Sequence, residues 1–353
     1  MTSIELKGLT TGYKQRGGEA VVSKDLNATL NTGELTCLLG PNGAGKSTLL
    51  RTLCAFQPAL GGTVQVMGHE LNSYKQHELA KLISVVLTDN GGVKNMTSFD
   101  VVGMGRSPYT GFWGRLNEKD KAVVGKCFQW VGIEDLKERK MSTLSDGECQ
   151  KVMIAKALAQ ETPIVFLDEP TAYLDYPSKI QMMMLLLRLA RTLKKTIFLS
   201  THDLEHALQV ADQIWLLDKE HGLVTGSPED LSIEGEIETY FNREGISYDR
   251  ELCTFQISHE TARQVELRGD KSKLEYRLCQ KALIRNRIQP VEHTTDCPVV
   301  ISVPGDGTYR LIEHGKETYK AVRIEHLLCT VVPAMIKNQI AAIREAAELK
   351  PYE

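Results

Sequence analysis

The stretch that decides the fold runs from Leu35 to Thr48 and reads LTCLLGPNGAGKST. Its first five residues form a short apolar run that is typical of a buried strand, and residues 48–56 have the character of a helix. The turn between them matches the pattern G-x-x-x-x-G-K-[ST], in which backbone N–H groups and the positive end of a helix dipole converge on phosphate oxygens. We therefore predict a phosphate-binding loop, whose residues are Gly40, Pro41, Asn42, Gly43, Ala44, Gly45, Lys46, Ser47 and Thr48.

Two side chains of this loop suit the phosphates of a bound nucleotide. The ammonium group of Lys46 would reach the outer phosphates, and the hydroxyl of Ser47 would bind a Mg²⁺ ion. A chance match within an ordinary loop is the alternative. The flanking strand and helix argue against a chance match, and so does a second motif further along the chain.

A second buried strand is predicted at Ile164–Leu167 (IVFL), and it leads into the acidic pair Asp168 and Glu169. Asp168 is placed to hold Mg²⁺, directly or through water. Glu169 is the predicted general base for the water that attacks the γ-phosphate. The alternative is that the pair only caps a helix, because Pro170 is suited to a first helical turn.

Between these two strands, Leu144–Glu148 reads LSDGE and precedes an amphipathic helix over residues 149–160. This segment resembles the signature motif of ATP-binding cassette (ABC) proteins, which usually reads Leu-Ser-Gly-Gly-Gln. The resemblance implies an α/β fold: a P-loop NTPase domain with a RecA-like core and a helical subdomain. From its pattern alone, Ser145 is also a helix N-cap, and Glu148 three residues later completes a capping box.

The resemblance further implies how nucleotide is bound. In ABC proteins two ATP molecules lie between two copies in a head-to-tail dimer, so a second copy of this chain is an expected partner. Ser145 and Gly147 of one copy would donate hydrogen bonds to the ATP held by the other, helped by the N-terminus of the following helix. Asp175 resembles the aspartate that touches the partner subunit.

Two more residues match the family in order along the chain. Tyr13 resembles the aromatic residue that stacks on adenine, although a tyrosine near a strand end is also suited to simple packing. His202 follows the buried run TIFLS and resembles the histidine that contacts the γ-phosphate and links it to Glu169. A structural histidine is the alternative. The implied catalytic residues are therefore Glu169, His202 and Lys46.

Two positions depart from the family pattern. Asp146 replaces a glycine of the signature, and we expect its side chain to point away from the phosphates, capping the helix or paired with a cation. Thr88 follows the strand-like run Ile83–Leu87 where the family has a glutamine. Its hydroxyl is a candidate ligand of Mg²⁺ or of a bridging water, beside Ser47 and Asp168, and Asp89 is the alternative.

The segment from Met96 to Tyr109 carries the run Gly103-Met104-Gly105-Arg106-Ser107-Pro108. It resembles importer ATPases for iron-siderophore, haem and cobalamin. This implies an integral membrane permease as partner, indirectly a substrate-binding protein, and a place at the cytoplasmic face of the inner membrane. An exporter ATPase, a soluble ABC-type switch in cofactor assembly and a P-loop kinase are the alternatives.

Composition limits the remaining options. With 42 Lys and Arg against 45 Asp and Glu the formal net charge is -3, so no basic surface for nucleic acid is indicated. The longest apolar run, Met182–Leu187, is far short of the roughly 20 residues that cross a bilayer, and the N-terminus lacks a signal-peptide pattern. The 8 scattered cysteines indicate reduced thiols rather than a zinc site.

The length of 353 residues predicts a large domain and a smaller one. We expect an ABC ATPase domain over residues 1–228, with its helical subdomain at about 89–160. A linker helix over residues 229–250 and an α+β domain over residues 251–353 would follow. The last domain shows no catalytic motif, so regulation, dimerisation and permease docking all stay open for it.

Overall fold

A computed structural model describes residues 1–15, 18–87, 92–111, 114–242, 245–250, 254–257, 263–292 and 299–331. Contacts along the chain divide it into two compact units. The first comprises Met1–Arg243 with Ser247–Gln256, and the second comprises Glu244–Ile246 with Ile257–Glu353.

The described strands, in chain order, are β1 (Thr2–Gln15), β2 (Gly18–Asn31), β3 (Leu35–Leu39), β4 (Gly61–Val66), β5 (His69–Glu70), β6 (Ile83–Val86), β7 (Ile164–Asp168), β8 (Thr196–Ser200), β9 (Gln213–Asp218), β10 (Gly222–Gly226), β11 (Ile246–Asp249), β12 (Thr254–Ile257), β13 (Arg263–Gly269), β14 (Ile288–Val291), β15 (Val299–Val303), β16 (Tyr309–Glu313) and β17 (Lys316–Ala321). The helices are α1 (Lys46–Leu53), α2 (Gln76–Leu79), α3 (Ser98–Gly103), α4 (Glu118–Val131), α5 (Asp146–Ala159), α6 (Tyr176–Leu193), α7 (Leu204–Val210), α8 (Pro228–Glu234), α9 (Glu236–Phe241) and α10 (Leu274–Arg285).

A six-stranded sheet in the order β10-β9-β3-β8-β7-β6 forms the centre of the first unit. Its strands are parallel except for β10, which pairs antiparallel with β9. Every residue of β3 and β8 is buried, as expected for parallel strands covered on both faces. Because parallel strands end at the same edge, the loops that follow β3, β7, β8 and β9 lie side by side.

A second sheet, in the order β2-β1-β4-β5, is antiparallel. Its apolar face packs with α1 and one side of the central sheet in a core that contains Leu26, Leu30, Leu49, Phe166 and Trp215. This packing holds the end of β1 and the beginning of β2 beside the loop that follows β3.

Helices α3, α4 and α5 pack against one another, and a buried arginine joins the segment after α3 to them. The Arg106 side chain is 3% exposed; its Nε lies 3.0 Å from Asp120 Oδ1 and its Nη1 lies 2.6 Å from Glu161 Oε2. Its Nη1 also donates to the Ala159 carbonyl at 2.7 Å. The Tyr109 ring covers the guanidinium at 4.2 Å. Arg106 therefore ties the Gly103–Pro108 run to the end of α5 instead of facing outwards.

Replacing Arg106 with alanine should lower the free energy of unfolding of the first unit by roughly 3 kcal/mol or more, because it leaves the Asp120 carboxylate without its buried cation. Chemical denaturation followed by circular dichroism measures the change. Arg115→Ala, which removes the same charge from an exposed position, is the matched control. Equal stability of the two variants would contradict this role of Arg106.

The predicted linker helix over residues 229–250 is wrong. Two short helices, α8 and α9, and the strand β11 occupy this range. Gly235 between the helices has a φ of 81°, a left-handed conformation that ends an α-helix. Leu231, Ile237 and Tyr240 are fully buried in the core of the first unit, and that unit includes α8 and α9.

The second unit holds a five-stranded sheet in the order β14-β13-β15-β16-β17. Strands β14, β13 and β15 are parallel, and β16 and β17 continue the sheet antiparallel. Helix α10 connects β13 to β14, and Leu283 of α10 packs with Val265 and Ile301 of the sheet. Of the predicted closing helix, residues 324–331 are helical and the remainder lies outside the described residues. Within the described ranges, no helix combines the length and apolar character needed to cross a bilayer.

Candidate active site

A cleft of about 500 Å³ opens at the end of β3, and it is lined by Val21, Val22, Asn42, Gly43, Gly45, Lys46, Ser47, Thr48, Glu169 and Lys219. Backbone geometry explains two glycines of the loop. Gly40 has a φ of 154°, and a Cβ there would lie 2.1 Å from the Leu217 carbonyl oxygen. Gly45 has a φ of 103°, and its Cβ would lie 2.6 Å from a Val22 methyl. The loop can pass this close to β9 and β2 only because both positions lack a side chain.

Lys46 begins α1 and is 7% exposed. Its Nζ donates to the Gly40 carbonyl at 2.7 Å and to the Pro41 carbonyl at 3.2 Å. Burial lowers the pKa of this ammonium, and the nearby carboxylates of Glu169 and Asp168 oppose that shift. The loop thus holds a desolvated cation that gains favourable interactions when a phosphate enters the cleft.

Tyr13 lies near the end of β1, with 43% of its surface exposed. Its hydroxyl is 2.9 Å from the Thr48 hydroxyl on α1, so the ring is anchored to the helix that begins at the phosphate loop. An exposed aromatic ring held in this way has a face available for stacking.

Two carboxylates stand at the end of β7, beside the end of β8. The Ser200 hydroxyl donates to Asp168 Oδ1 at 2.6 Å and accepts from the Glu169 N–H at 3.0 Å. The Glu169 N–H also contacts the Ser200 carbonyl oxygen at 3.2 Å. Glu169 has a φ of 49°, a left-handed conformation uncommon for a glutamate. These contacts hold the backbone turn that carries the carboxylate into the cleft.

The histidine predicted at the end of the next strand meets the same carboxylate. His202 Nδ1 lies 3.0 Å from Glu169 Oε1. The histidine side chain is 56% exposed and the Glu169 side chain 31% exposed, so both groups are open to a ligand in the cleft. The structure therefore brings Lys46, Asp168, Glu169 and His202 to one edge of the sheet.

Similarity to known proteins agrees with this arrangement. The model of the ABC transporter family matches residues 23–172. The chain is 38% identical over 256 residues to an uncharacterised ABC transporter ATP-binding protein of Methanocaldococcus jannaschii. The aligned region covers 72% of this chain and 87% of that protein. The chain belongs to the ATP-binding cassette family. Its activity is accordingly the hydrolysis of ATP.

Other members of the cassette family extend the comparison. The iron(3+)-hydroxamate import ATP-binding protein of Bacillus subtilis is 34% identical over 62% of this chain and 80% of its own length. The ferric enterobactin transport ATP-binding protein of Escherichia coli is 34% identical over 63% of this chain and 81% of its own length. Among solved structures, a putative metal-chelate type ABC transporter in an inward-facing conformation has a TM-score of 0.57 and 27% identity, covering 65% of this chain and 85% of that one.

The ABC signature segment begins α5 and contains the predicted capping box. The Ser145 hydroxyl and N–H contact Glu148 Oε2 at 2.9 and 2.8 Å, and the Glu148 N–H faces the Ser145 hydroxyl at 3.4 Å. These bonds from Ser145 lower the pKa of the Glu148 carboxyl, which also lies 3.7 Å from Arg139. Within one ABC subunit, the Ser145 hydroxyl is therefore already engaged with Glu148.

The structure does not agree with the expectation that the Asp146 side chain caps the helix or pairs with a cation. It is exposed at the first position of α5 and forms no hydrogen bond or ion pair with any described residue. Glu148 makes both the capping contact and the contact with a cation. Its side chain, at the third helical position, can reach back to the N-cap, whereas that of Asp146, at the first position, cannot.

The remaining predicted residues of the cassette are placed as follows. Asp175 caps α6, and its Oδ1 accepts from the Ser178 N–H at 2.8 Å. Gly147 lies in the first turn of α5, where an added Cβ would lie 3.7 Å from a Leu174 methyl. Thr88 and its alternative Asp89 lie outside the described residues.

Ser200 is a residue of this site that sequence reasoning missed. Only the register of β7 and β8, which pairs Asp168 with Ser200, shows that its hydroxyl joins the Asp168 carboxylate to the backbone N–H of Glu169. The available signal was a hydroxyl at the last position of an otherwise apolar strand.

Ser200→Ala should lower the kcat for ATP about tenfold, because a hydrogen bond to a charged group contributes about 1.5 kcal/mol and that amount equals a factor of about ten in rate. Steady-state ATPase assays measure the change. Thr196→Val, at the other end of the same strand, is the control for general effects on β8. A kcat that is unchanged in Ser200→Ala would show that Ser200 does not position the carboxylates.

Proposed function

We propose that this chain is the ATP-hydrolysing subunit of an importer that takes up an iron-siderophore, haem or cobalamin-type substrate through a partner permease. The observation that carries the proposal is that several relatives are named for the import or transport of iron chelates. The two described above are each 34% identical to this chain, and a petrobactin import protein of Bacillus subtilis is 36% identical. The Gly103–Pro108 run favours the same class. A place at the cytoplasmic face of the inner membrane, with a substrate-binding protein on the other side, follows from the proposal.

The residue roles belong to the same proposal. Lys46 and the N–H groups of Gly43 and Gly45 bind the outer phosphates of ATP. Tyr13 stacks on adenine. Glu169 accepts a proton from the attacking water, and His202 contacts the γ-phosphate and orients the Glu169 carboxylate.

The residues present also fit a Mg²⁺ ion. The Ser47 hydroxyl and the Asp168 carboxylate offer the oxygen ligands that Mg²⁺ prefers, and phosphate oxygens and water complete its shell in nucleotide sites. When bound, the ion neutralises charge on the phosphate oxygens. Thr88 stays a proposed third ligand.

Two copies of the chain would enclose two ATP molecules. A cassette of 26% identity to this chain is known as a dimer, with a TM-score of 0.56. Ser145, Gly147 and Asp175 of one copy would face the nucleotide and the surface of the other. The Ser145 hydroxyl would turn from Glu148 towards the phosphate, while the N–H groups of the first turn of α5 already point out of the helix.

Co-purification tests the importer proposal. The chain, tagged and expressed in its native host, should retain an integral membrane protein after detergent extraction, and that pair in vesicles should couple ATP hydrolysis to uptake of a ferric chelate. Recovery of soluble partners alone would favour an ATP-driven switch. Export from the same vesicles would favour the exporter alternative.

A further inference from the structure

Lys219 lines the nucleotide cleft from a turn that no motif of the phosphate site includes. It follows the last residue of β9, Asp218, and the turn continues to Gly222, where β10 begins. Because β9 runs parallel to β3, with Leu216 beside Leu39, the end of β9 reaches the same edge as the phosphate loop. Lys219 is exposed, yet its side chain forms part of the wall that contains Lys46, Ser47 and Thr48.

The ammonium of Lys219 extends into the cleft wall without a partner among the described residues. It forms no hydrogen bond or ion pair with any residue in the part of the chain that the structure describes. Asp218 beside it is instead directed to the Glu220 N–H at 2.6 Å and to His221 Nδ1 at 3.6 Å. Among the residues that line the cleft, Lys46 and Lys219 carry the positive charges, and Lys46 is bound to the carbonyls of its own loop.

The order of strands decides which part of the nucleotide Lys219 meets. Strand β9 lies on one side of β3, whereas β8 and β7, with His202 and Glu169 after them, lie on the other. On the side of β9 the wall of the cleft continues into Val21 and Val22 of β2, which pairs with the strand that carries Tyr13. Lys219 therefore stands towards the adenine end of the cleft, away from Glu169, the proposed general base for the attacking water.

We propose that Lys219 binds the nucleotide through the phosphates that ATP and ADP share, and so adds affinity for both without taking part in hydrolysis. The proposal depends on the ATP-binding activity of the family and not on the identity of any transported substrate. A flexible, exposed lysine makes a moderate, salt-dependent contribution, so its loss should weaken binding about fivefold.

Calorimetric titration of ATP and ADP into the purified chain tests this inference. Lys219→Ala should raise the Kd of both nucleotides about fivefold at low salt. Lys219→Glu should raise the Kd further, and Lys219→Arg should leave it close to that of the unchanged protein. The difference should shrink as salt is added, and KM should rise while kcat changes far less. Lys119→Ala, an exposed lysine of α4 outside the cleft, is the matched control and should bind as the unchanged protein does.

Two results would overturn the inference. Unchanged Kd values for ATP and ADP in both Lys219→Ala and Lys219→Glu would show that the side chain does not reach the nucleotide. A loss confined to ATP would place Lys219 at the γ-phosphate instead. Lys46→Ala, measured in parallel, separates these results from a failure of the nucleotide site itself, because that variant should lose binding whether or not Lys219 contributes.

Discussion

Replacement of Glu169 by glutamine is expected to lower ATP turnover by about 10²–10⁴-fold while nucleotide binding persists. The carboxylate stands at the cleft on a backbone turn that Ser200 holds, with His202 Nδ1 at 3.0 Å. Glutamine preserves the size and the polar contacts of the side chain but cannot accept a proton from water. The loss should therefore appear in kcat, with little change in the Kd for ATP.

Single-turnover hydrolysis and equilibrium binding, measured on the same preparation, separate these two quantities. Glu138→Gln, an exposed position outside the cleft, is the matched control for removal of one carboxylate. Unimpaired turnover in Glu169→Gln would assign the general base to another group.

Replacement of Lys46 by alanine should raise the Kd for ATP at least about 100-fold. The ammonium would make more than one hydrogen bond to phosphate oxygens, each worth about 1.5–3 kcal/mol, and 1.4 kcal/mol equals a factor of ten in affinity. No other described residue replaces it, since Lys219, the other positive group that lines the cleft, stands on the opposite side from Glu169.

The stability of a second variant, Lys46→Met, separates a binding defect from a folding defect. Burial lowers the pKa of Lys46, so the charged form is less favourable in the folded chain than in the unfolded one. Lys46→Met, which keeps the apolar stem, removes that desolvated charge but also the hydrogen bonds to the Gly40 and Pro41 carbonyls, so it should still unfold cooperatively, near the temperature of the unchanged protein, and fail to bind ATP. A variant that binds ATP normally would contradict the role of Lys46.

The phosphate loop and the two acidic residues were predictable because each depends on residues that are close in sequence. An apolar run followed by GPNGAGKS specifies a strand, a turn and a helix locally, and the same holds for the run before Asp168. Ser145 as an N-cap likewise needed only Glu148 three residues later.

What could not be predicted depends on register between distant segments. Ser200 acts through a strand pairing with residues 32 positions away, and Arg106 meets Asp120 and Glu161 across 14 and 55 positions. The prediction of a linker helix over residues 229–250 was wrong because the composition near residue 234 is mostly polar. The few apolar residues there that pack into the core did not stand out from it. Lys219 reaches the cleft only because β9 lies beside β3.

The central claim is that ATP is enclosed between two copies of the chain, with Lys46 and Glu169 of one facing Ser145 of the other. The molar mass of Glu169→Gln in solution, measured by light scattering with and without saturating Mg-ATP, tests it most directly. We predict a monomer without nucleotide and a dimer with ATP, and a return to monomer when Ser145→Arg is added to the same chain. A monomer of unchanged mass, in a preparation that demonstrably binds ATP, would contradict the claim.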